Sequence, residues 1–341
     1  MFRQLPLLFL LLLSPALLSG VAGCSDSDGQ GAGADTGADT GGEVSVLYAG
    51  SLVRLMEEYL GPAFEEQTGI AYSGEGKGSV AGANLILDSL RRPDVFISAD
   101  PAVNQMLLEQ DAAVAPWYVT FAATELVLAY SPQGRHAEVF ARARRGEVSW
   151  HEALRIPGLR LGRSDPDLDP AGYRAVFALE LAEEVLGLDG LKDEVFGSDR
   201  NPAQIFPEED LAARLEAGQL DAVLVYRSVA VPHGLPFVEL PPEVGQGDPE
   251  LADLYATRSY TNSRTGKKYR GAPVVYTVTV GNDYSPEAVA FAAFLLGGSA
   301  RPLLEEAGLS PVTPRVGGDP EAVPAEVRGL LSALEVRSWP S

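Results

Sequence analysis

Residues 44–100 read VSVLYAGSLVRLMEEYLGPAFEEQTGIAYSGEGKGSVAGANLILDSLRRPDVFISAD, and this stretch decides the fold class. Short apolar runs at Val44–Ala49, Ile70–Gly74 and Asp94–Ala99 have the length and residue types of strands. Helical segments separate them, and the second helix follows a glycine-rich loop at Gly74–Ser79. This order of strands and helices predicts an α/β protein that begins with a doubly wound sheet.

The rest of the chain continues the alternation and predicts two lobes. Long β-rich runs at 117–131 and 273–280 bracket a middle α/β block, so the chain crosses between the lobes twice. We predict lobe I from residues 44–120 plus 281–341 and lobe II, with the hinge strands, from 121–280. Each lobe is predicted to be a doubly wound sheet. A two-strand hinge leaves a cleft that can close on a ligand.

Several downstream segments have clear periodicity. Residues 159–165 and 221–227 read as strands, and residues 171–186 and 207–217 read as helices. The chain after residue 281 is predicted to be helical.

The first 24 residues, MFRQLPLLFLLLLSPALLSGVAGC, have the organisation of a secretion signal. The apolar stretch at 5–18 is too short for a membrane span. It ends in a sequence that resembles a bacterial lipobox, although a chance cysteine is the alternative. We therefore predict a lipoprotein signal peptide at 1–23, lipidation of Cys24 and a flexible acidic linker at 24–43. The protein is expected to be lipid-anchored at the cell membrane, outside the cytoplasm.

Composition excludes several classes of function. The chain of 341 residues has 26 Lys and Arg against 47 Asp and Glu, a net charge of −21. Such a surface repels nucleic acid, so no nucleic-acid partner is expected. One Cys and three scattered His argue against a Cys-rich or His-cluster metal site, and they form no nucleophile–base motif. No catalytic constellation emerges from the residues, so we predict no cofactor and do not predict an enzyme.

Five residues are candidates for binding a small anion. Ser51 and Ser79 each lie where a helix follows a strand, a place where N–H groups bind anions, although each could be a helix N-cap. Asp169 reads as an N-cap, or as a ligand to an electrophilic metal centre, since it would otherwise repel an anion. The small residue Ala171 lets a ligand approach the backbone N–H groups. Tyr226 ends a strand, and its hydroxyl either has a partner in the core or donates to an oxyanion.

A set of strings, in this order and spacing, resembles the tungstate/molybdate-binding protein family of ATP-binding-cassette importers. They include VLYAGSL (46–52), DVFISAD (94–100), DPAGYR (169–174), YRSVAVPHGL (226–235) and APVVYTVTV (272–280). The resemblance implies the two-lobed type II periplasmic-binding-protein fold. It also implies a protein that captures molybdate or tungstate and delivers it to an ABC permease and its ATPase. Sulfate, phosphate or a sensor role without transport remain alternatives.

The resemblance also assigns roles to residues. The family's anion-contacting serines match Ser51 and Ser79, and its aspartate matches Asp169. Archaeal-type members place a second carboxylate ligand where this chain has Val225. The bacterial molybdate-binding relatives instead hold a tetrahedral oxyanion by hydrogen bonds. We therefore expect a mainly hydrogen-bonded site to which Tyr226 donates, with Asp169 as a cap or a residual ligand.

Overall fold

Two β-sheets organise the computed structural model, which describes residues 41–111, 113–281, 283–332 and 337–338. The predicted signal peptide at 1–23, Cys24 and the linker up to residue 40 lie outside the described residues. No helix in the described part of the chain is long and apolar enough to cross a membrane.

The larger sheet has eight strands and forms what we call lobe I. Its strands, numbered along the chain, are β1 (Glu43–Ala49), β2 (Ala71–Lys77), β3 (Val95–Ser98), β4 (Trp117–Ala123), β12 (Val275–Val280), β13 (Ser310–Pro311), β14 (Arg315–Gly318) and β15 (Arg337–Ser338). The order across the sheet is β15-β14-β4-β12-β3-β1-β2, and β13 pairs with β4. β1 pairs in parallel with β2 and β3, as the predicted strand–helix repeat requires. β12 and β4 run antiparallel to their neighbours.

The smaller sheet has five strands and forms what we call lobe II. Its strands are β5 (Leu126–Tyr130), β6 (Leu161–Ser164), β7 (Ile205–Phe206), β8 (Ala222–Tyr226) and β9 (Phe237–Glu239), in the order β7-β6-β8-β5-β9. The chain leaves the larger sheet between β4 and β5 and returns to it at β12. A separate hairpin joins β10 (Ser259–Thr261) to β11 (Lys268–Arg270).

Helices connect and cover these strands. The first half of the chain contains α1 (Val53–Leu55), α2 (Gly61–Thr68), α3 (Ser79–Leu87), α4 (Pro101–Gln110), α5 (Ala137–Arg144), α6 (Trp150–Leu154) and α7 (Pro170–Leu186). The second half contains α8 (Leu191–Phe196), α9 (Glu208–Glu216), α10 (Arg227–Ala230), α11 (Pro242–Gly245), α12 (Ala252–Tyr255), α13 (Pro286–Leu296), α14 (Arg301–Glu306) and α15 (Ala325–Ser332). Short 3-10 turns at Gly50–Leu52, Pro249–Leu251 and Pro320–Ala322 and a π-helical turn at Met56–Leu60 complete the list.

Two sequence-based predictions of secondary structure are wrong. The glycine-rich segment does not loop out, because β2 continues to Lys77 in register with β1. A Cβ at Gly76 would lie 2.5 Å from Val53 Cγ2, so glycine lets this strand pass close beneath the first helical turn. The chain after residue 281 is not wholly helical, since β13 and β14 return to pair with β4.

Several strands and helices are apolar because they are buried in the core of the protein. Every residue of β3, β5 and β8 is buried. Twelve residues of the 17-residue α7 are also buried, because this helix packs against β6, β8 and β5. Burial of such runs is the main source of folding free energy. Burial of α7 fixes the start of this helix, and therefore Asp169, at the boundary between the lobes.

Candidate functional site

The strand ends of lobe I place Ser51 and Ser79 against lobe II. Ser51 lies in the 3-10 turn after β1, and Ser79 is the first residue of α3. Glycines make the close approach possible. A Cβ at Gly78 would lie 2.7 Å from the Leu168 carbonyl oxygen, and a Cβ at Gly50 would lie 3.2 Å from the Glu208 carboxylate.

The helix-cap alternative is wrong for both serines. The N-cap positions are Ala49 and Gly78, and neither helix has a side-chain cap. The Ser79 hydroxyl accepts the Ala99 N–H at 3.1 Å, so its own proton remains available to donate. Ser51 is buried, and its hydroxyl takes part in a chain of hydrogen bonds.

That chain runs through a residue that the sequence did not single out. The Tyr276 hydroxyl lies 2.8 Å from Ser51 Oγ and 2.9 Å from Ser228 Oγ, and all three side chains are buried. Burial raises the pKa of Tyr276, so its hydroxyl remains protonated. The three hydroxyls therefore form a neutral network that joins the two lobes.

Asp169 is the N-cap of α7, as one of the two predicted alternatives states. Its Oδ1 accepts the Ala171 N–H at 2.7 Å, and its Oδ2 accepts the Ser79 N–H at 3.1 Å. The carboxylate of lobe II thus bonds to the start of a helix in lobe I. The Ala171 N–H, predicted to face a ligand, is engaged by this cap.

A second carboxylate, from Glu208, lies in the same cluster and was not predicted. Glu208 is the first residue of α9 and is only 3% exposed. Its Oε2 accepts the Ser51 N–H at 2.9 Å, whereas no donor group among the described residues faces its buried Oε1. The Glu208 carboxyl lies within hydrogen-bond reach of the Asp169 carboxyl. Burial raises the pKa of Asp169 to about 6. Burial and the neighbouring Asp169 raise the pKa of Glu208 well above its ordinary value. At moderately acidic pH the two carboxylates share protons.

Tyr226 supplies an unused hydrogen-bond donor. The side chain is fully buried at the end of β8, and its hydroxyl has no partner among the described residues. The predicted alternative of a core tyrosine with a satisfied hydroxyl is therefore wrong. Burial raises the pKa of Tyr226 well above its ordinary value, so the proton stays on the oxygen. Its ring meets the Tyr276 ring edge-on, with 6.4 Å between centroids.

A buried cation lies close by. Arg174, on the first turns of α7, donates from Nη2 to Asp100 Oδ2 at 2.6 Å, and Tyr173 donates to the same oxygen at 2.8 Å. The charge of Arg174 acts against the rise in the pKa of Tyr226. Its Nε is buried and has no partner in the described part of the protein. This ion pair joins α7 of lobe II to the N-cap of α4 in lobe I.

The carboxylate pair borders a cavity. A volume of about 330 Å³ is lined by residues that include Lys77, Gly78, Asp169, Glu208 and Glu209. Lys77 crosses from lobe I to pair with Glu209 at 3.2 Å. The cavity therefore borders both residues of the carboxylate pair.

The donor set is unsuited to a resident metal cation. In the ranges that the structure describes, no group of three or more His, Cys, Asp or Glu side chains could hold a metal ion. The cluster instead combines two carboxylates with hydroxyl and N–H donors. Such a set suits a solute that has oxygen atoms to accept hydrogen bonds and a centre that accepts carboxylate oxygens.

Comparison with known proteins places the chain in a family. The model of the bacterial extracellular solute-binding proteins matches residues 44–310. The chain belongs to this family. The match confirms the expectation of a binding protein, and not an enzyme.

Two relatives of this chain have names that state what they bind. This solute-binding protein is 38% identical to a putative ABC transporter molybdenum-binding protein of Haloferax volcanii, over 86% of each chain. It is 30% identical to the molybdate/tungstate-binding protein WtpA of Thermococcus kodakarensis, over 96% of this chain and 97% of the relative.

A solved structure confirms the predicted two-lobed type II fold. The periplasmic molybdate-binding protein of Azotobacter vinelandii superposes with a TM-score of 0.52 at 18% identity. The match covers 78% of this chain and 98% of that one.

Proposed function

We propose that this protein captures molybdate or tungstate between its lobes, as the extracytoplasmic solute-binding component of an ABC importer. The observation that carries the proposal is the buried interlobe cluster. Asp169 lies there beside N–H and hydroxyl donors from both lobes, within reach of a cavity. The names of the relatives from Haloferax and Thermococcus support the same solute.

The carboxylate selects among oxyanions. Sulfate carries no proton near neutral pH and has no low-lying empty orbital for a further oxygen ligand, so an ionised buried carboxylate repels it. Molybdate and tungstate have an electron-poor metal centre with empty d orbitals, which can accept a carboxylate oxygen. The Asp169 oxygens each bond one N–H and retain a lone pair for this purpose. Discrimination thus combines attraction of one class of anion with repulsion of the other.

Hydrogen bonds hold the oxo groups. The hydroxyl protons of Ser79 and Tyr226 are not donated to any group in the described structure. The network of Ser51, Tyr276 and Ser228 can turn one hydroxyl towards a ligand, because each oxygen both donates and accepts. These donors come from both lobes, so an anion that uses them all favours the closed form.

The proposal also includes a lipid anchor for the protein and a membrane permease that receives the solute. The lipobox-like sequence that ends at Cys24 supports a lipid anchor outside the cytoplasm. The family of extracellular solute-binding proteins and the ABC-transporter name of one relative support a membrane permease as the partner. A protein tethered in this way would release its solute to the permease when the lobes open.

Calorimetric titration of the purified full chain with molybdate, tungstate, sulfate and phosphate tests the solute. We expect saturable binding of molybdate and tungstate, and at least about a hundredfold weaker binding of sulfate, because repulsion of an anion by a buried carboxylate is worth a few kcal/mol. Tighter binding of sulfate or phosphate would overturn the proposal in favour of another oxyanion.

A further inference from the structure

The β10–β11 hairpin, residues 259–270, contacts both lobes but contributes no residue to the site described above. It pairs with neither of the two larger sheets. Its turn has a fixed shape, because the Asn262 side chain accepts the N–H groups of Arg264 and Thr265 at 3.0 and 3.1 Å. A two-stranded hairpin is marginally stable by itself, so its contacts with the rest of the protein hold it in place.

The contacts of the hairpin with lobe II are buried and charged. Asp167, which follows β6, is only 1% exposed. Its Oδ1 accepts the Tyr260 hydroxyl at 2.7 Å and the Ser263 N–H at 2.8 Å, and its Oδ2 accepts the Ser263 hydroxyl. Arg200 of lobe II pairs with the same carboxylate, with 3.0 Å between Nη1 and Oδ2. Buried hydrogen bonds to a carboxylate are stronger than neutral ones, so these contacts attach the hairpin firmly to lobe II.

The hairpin also supports the loop that carries Asp169. Tyr269 stacks on Tyr173 of α7, with 4.9 Å between the ring centroids and 8° between the ring planes. The residue after Asp167 bonds to lobe I instead, since the Leu168 carbonyl accepts the Ala81 N–H of α3 at 2.9 Å. Adjacent residues of this loop are therefore bonded to the hairpin and to lobe I.

The contacts of the hairpin with lobe I are weaker in kind. Lys267 pairs with Glu109 of α4, with 2.6 Å between Nζ and Oε2, and the two side chains are 31% and 51% exposed. The Tyr269 hydroxyl donates to Met106 Sδ at 3.5 Å. An exposed ion pair and an apolar contact cost much less to break than buried bonds to a carboxylate. The apolar part is a buried cluster that joins the hairpin to α4 and α7 and includes Val103, Met106, Leu107, Tyr173, Phe177, Leu181, Tyr260 and Tyr269.

We propose that the hairpin is a clasp, carried by lobe II, that closes on α4 of lobe I and slows the release of the bound solute. This inference rests on the proposed function, because it requires a solute held between lobes that open. The Lys267–Glu109 pair and the Tyr269–Met106 contact form when the lobes close and break when they open. A contact that exists only in the closed form raises the affinity for the solute without touching it.

Reversal of charges across the clasp tests this proposal on the full chain. Lys267→Glu places like charges together at the contact with α4, and so does Glu109→Lys. We expect each variant to weaken tungstate binding by about three- to tenfold in calorimetric titration, because an attraction is replaced by a repulsion. The combined variant restores the ion pair with its charges exchanged, and its affinity should return to within about twofold of the wild type.

Two further measurements separate a clasp from a purely structural contact. The tungstate dissociation rate, measured by stopped-flow fluorescence, should rise in each single variant, whereas the melting temperature of the ligand-free protein should stay nearly unchanged. Lys192→Glu is the matched control. It makes the same change of charge but breaks ion pairs within lobe II, with Glu180 at 3.0 Å and Asp199 at 3.2 Å. It should leave tungstate affinity unchanged.

The outcomes distinguish failure of the clasp from failure of the proposed function. If the wild type binds tungstate and neither single variant loses affinity, or if the combined variant does not regain it, the clasp is overturned and the function stands. If the wild type binds sulfate or phosphate in place of molybdate and tungstate, the proposed solute is overturned, and titration of the same variants with that anion still tests the clasp. Binding of none of these anions would overturn the proposed function and, with it, the clasp.

Discussion

Lobe I and lobe II meet at the site with opposite chemistry. Lobe I presents the backbone N–H groups of Ser51 and Ser79, whereas lobe II presents the carboxylates of Asp169 and Glu208. Each carboxylate accepts one of those N–H groups. This pairing leaves the Tyr226 hydroxyl, which has no partner among the described residues, as a donor for the solute proposed above.

A buried ion pair at the same boundary has the opposite arrangement, with its carboxylate on lobe I. Breaking this pair should have the largest effect on the free energy of unfolding. Lobe I supplies Asp100 and lobe II supplies Arg174, with 2.6 Å between Oδ2 and Nη2. We expect Asp100→Asn to lower the free energy of unfolding by about 3–5 kcal/mol, because it leaves the Arg174 charge buried without a counterion. Urea denaturation of the ligand-free protein measures this loss.

The control is Glu58→Gln, which removes an exposed ion pair with Arg54. It should change the free energy of unfolding by less than about 1 kcal/mol. A loss of similar size in both variants would show that the buried pair contributes no more to stability than an exposed one.

The carboxylates of lobe II predict how stability depends on pH. Their pKa values are raised by burial, that of Asp169 to about 6, so the folded state favours their protonated forms. This contribution is fully present below the ordinary pKa of about 4 and is lost as pH rises through the folded-state values. Glu208→Gln removes one member of the pair. The melting temperature of Glu208→Gln minus that of the wild type should therefore rise between about pH 5 and pH 8.

Differential scanning calorimetry without ligand measures this difference. Subtracting the two melting temperatures cancels the contribution of groups such as Asp221. The pKa of Asp221 is lowered, so its contribution to stability increases with pH. A difference that stays flat or falls with pH would show that the two carboxylates do not interact. Asp210→Asn, on the same helix, controls for the change in net charge.

The hydroxyls of Ser51 and Ser79 in lobe I should contribute less to tungstate binding than the charged groups do. Their contribution should still be measurable. We expect Ser51→Ala combined with Ser79→Ala to weaken tungstate binding at least about tenfold, since each lost buried hydrogen bond costs on the order of 1 kcal/mol. The backbone N–H groups remain in the double variant, so only the hydroxyl contribution is removed. Calorimetric titration measures the effect, with the exposed Ser198→Ala as the control. An unchanged affinity would mean that lobe I binds through its backbone alone.

Sequence reasoning found the elements that local patterns specify. Apolar runs identified β1, β3 and β8, and Asp169 before Pro170 identified the start of α7. It missed Glu208, because β7 before it has only two residues and the acidic start of α9 resembles an ordinary solvated helix start. The pairing of Glu208 with Ser51 spans 157 positions, and no local pattern reports such a contact. The role of Tyr276 was hidden for the same reason, since its strand reads as a plain core strand.

Tyr226→Phe should have the smallest effect, and it separates a binding role from a structural one. This hydroxyl has no partner among the described residues, so its removal should leave the free energy of unfolding unchanged or raise it by up to about 1 kcal/mol. Tungstate affinity should fall about fivefold, the value of one neutral hydrogen bond. Tyr276→Phe, by contrast, loses its bonds to both serines, and stability and affinity should fall together. If Tyr226→Phe lowers stability and leaves affinity intact, this hydroxyl belongs to the core, and the donors to the anion must come from lobe I.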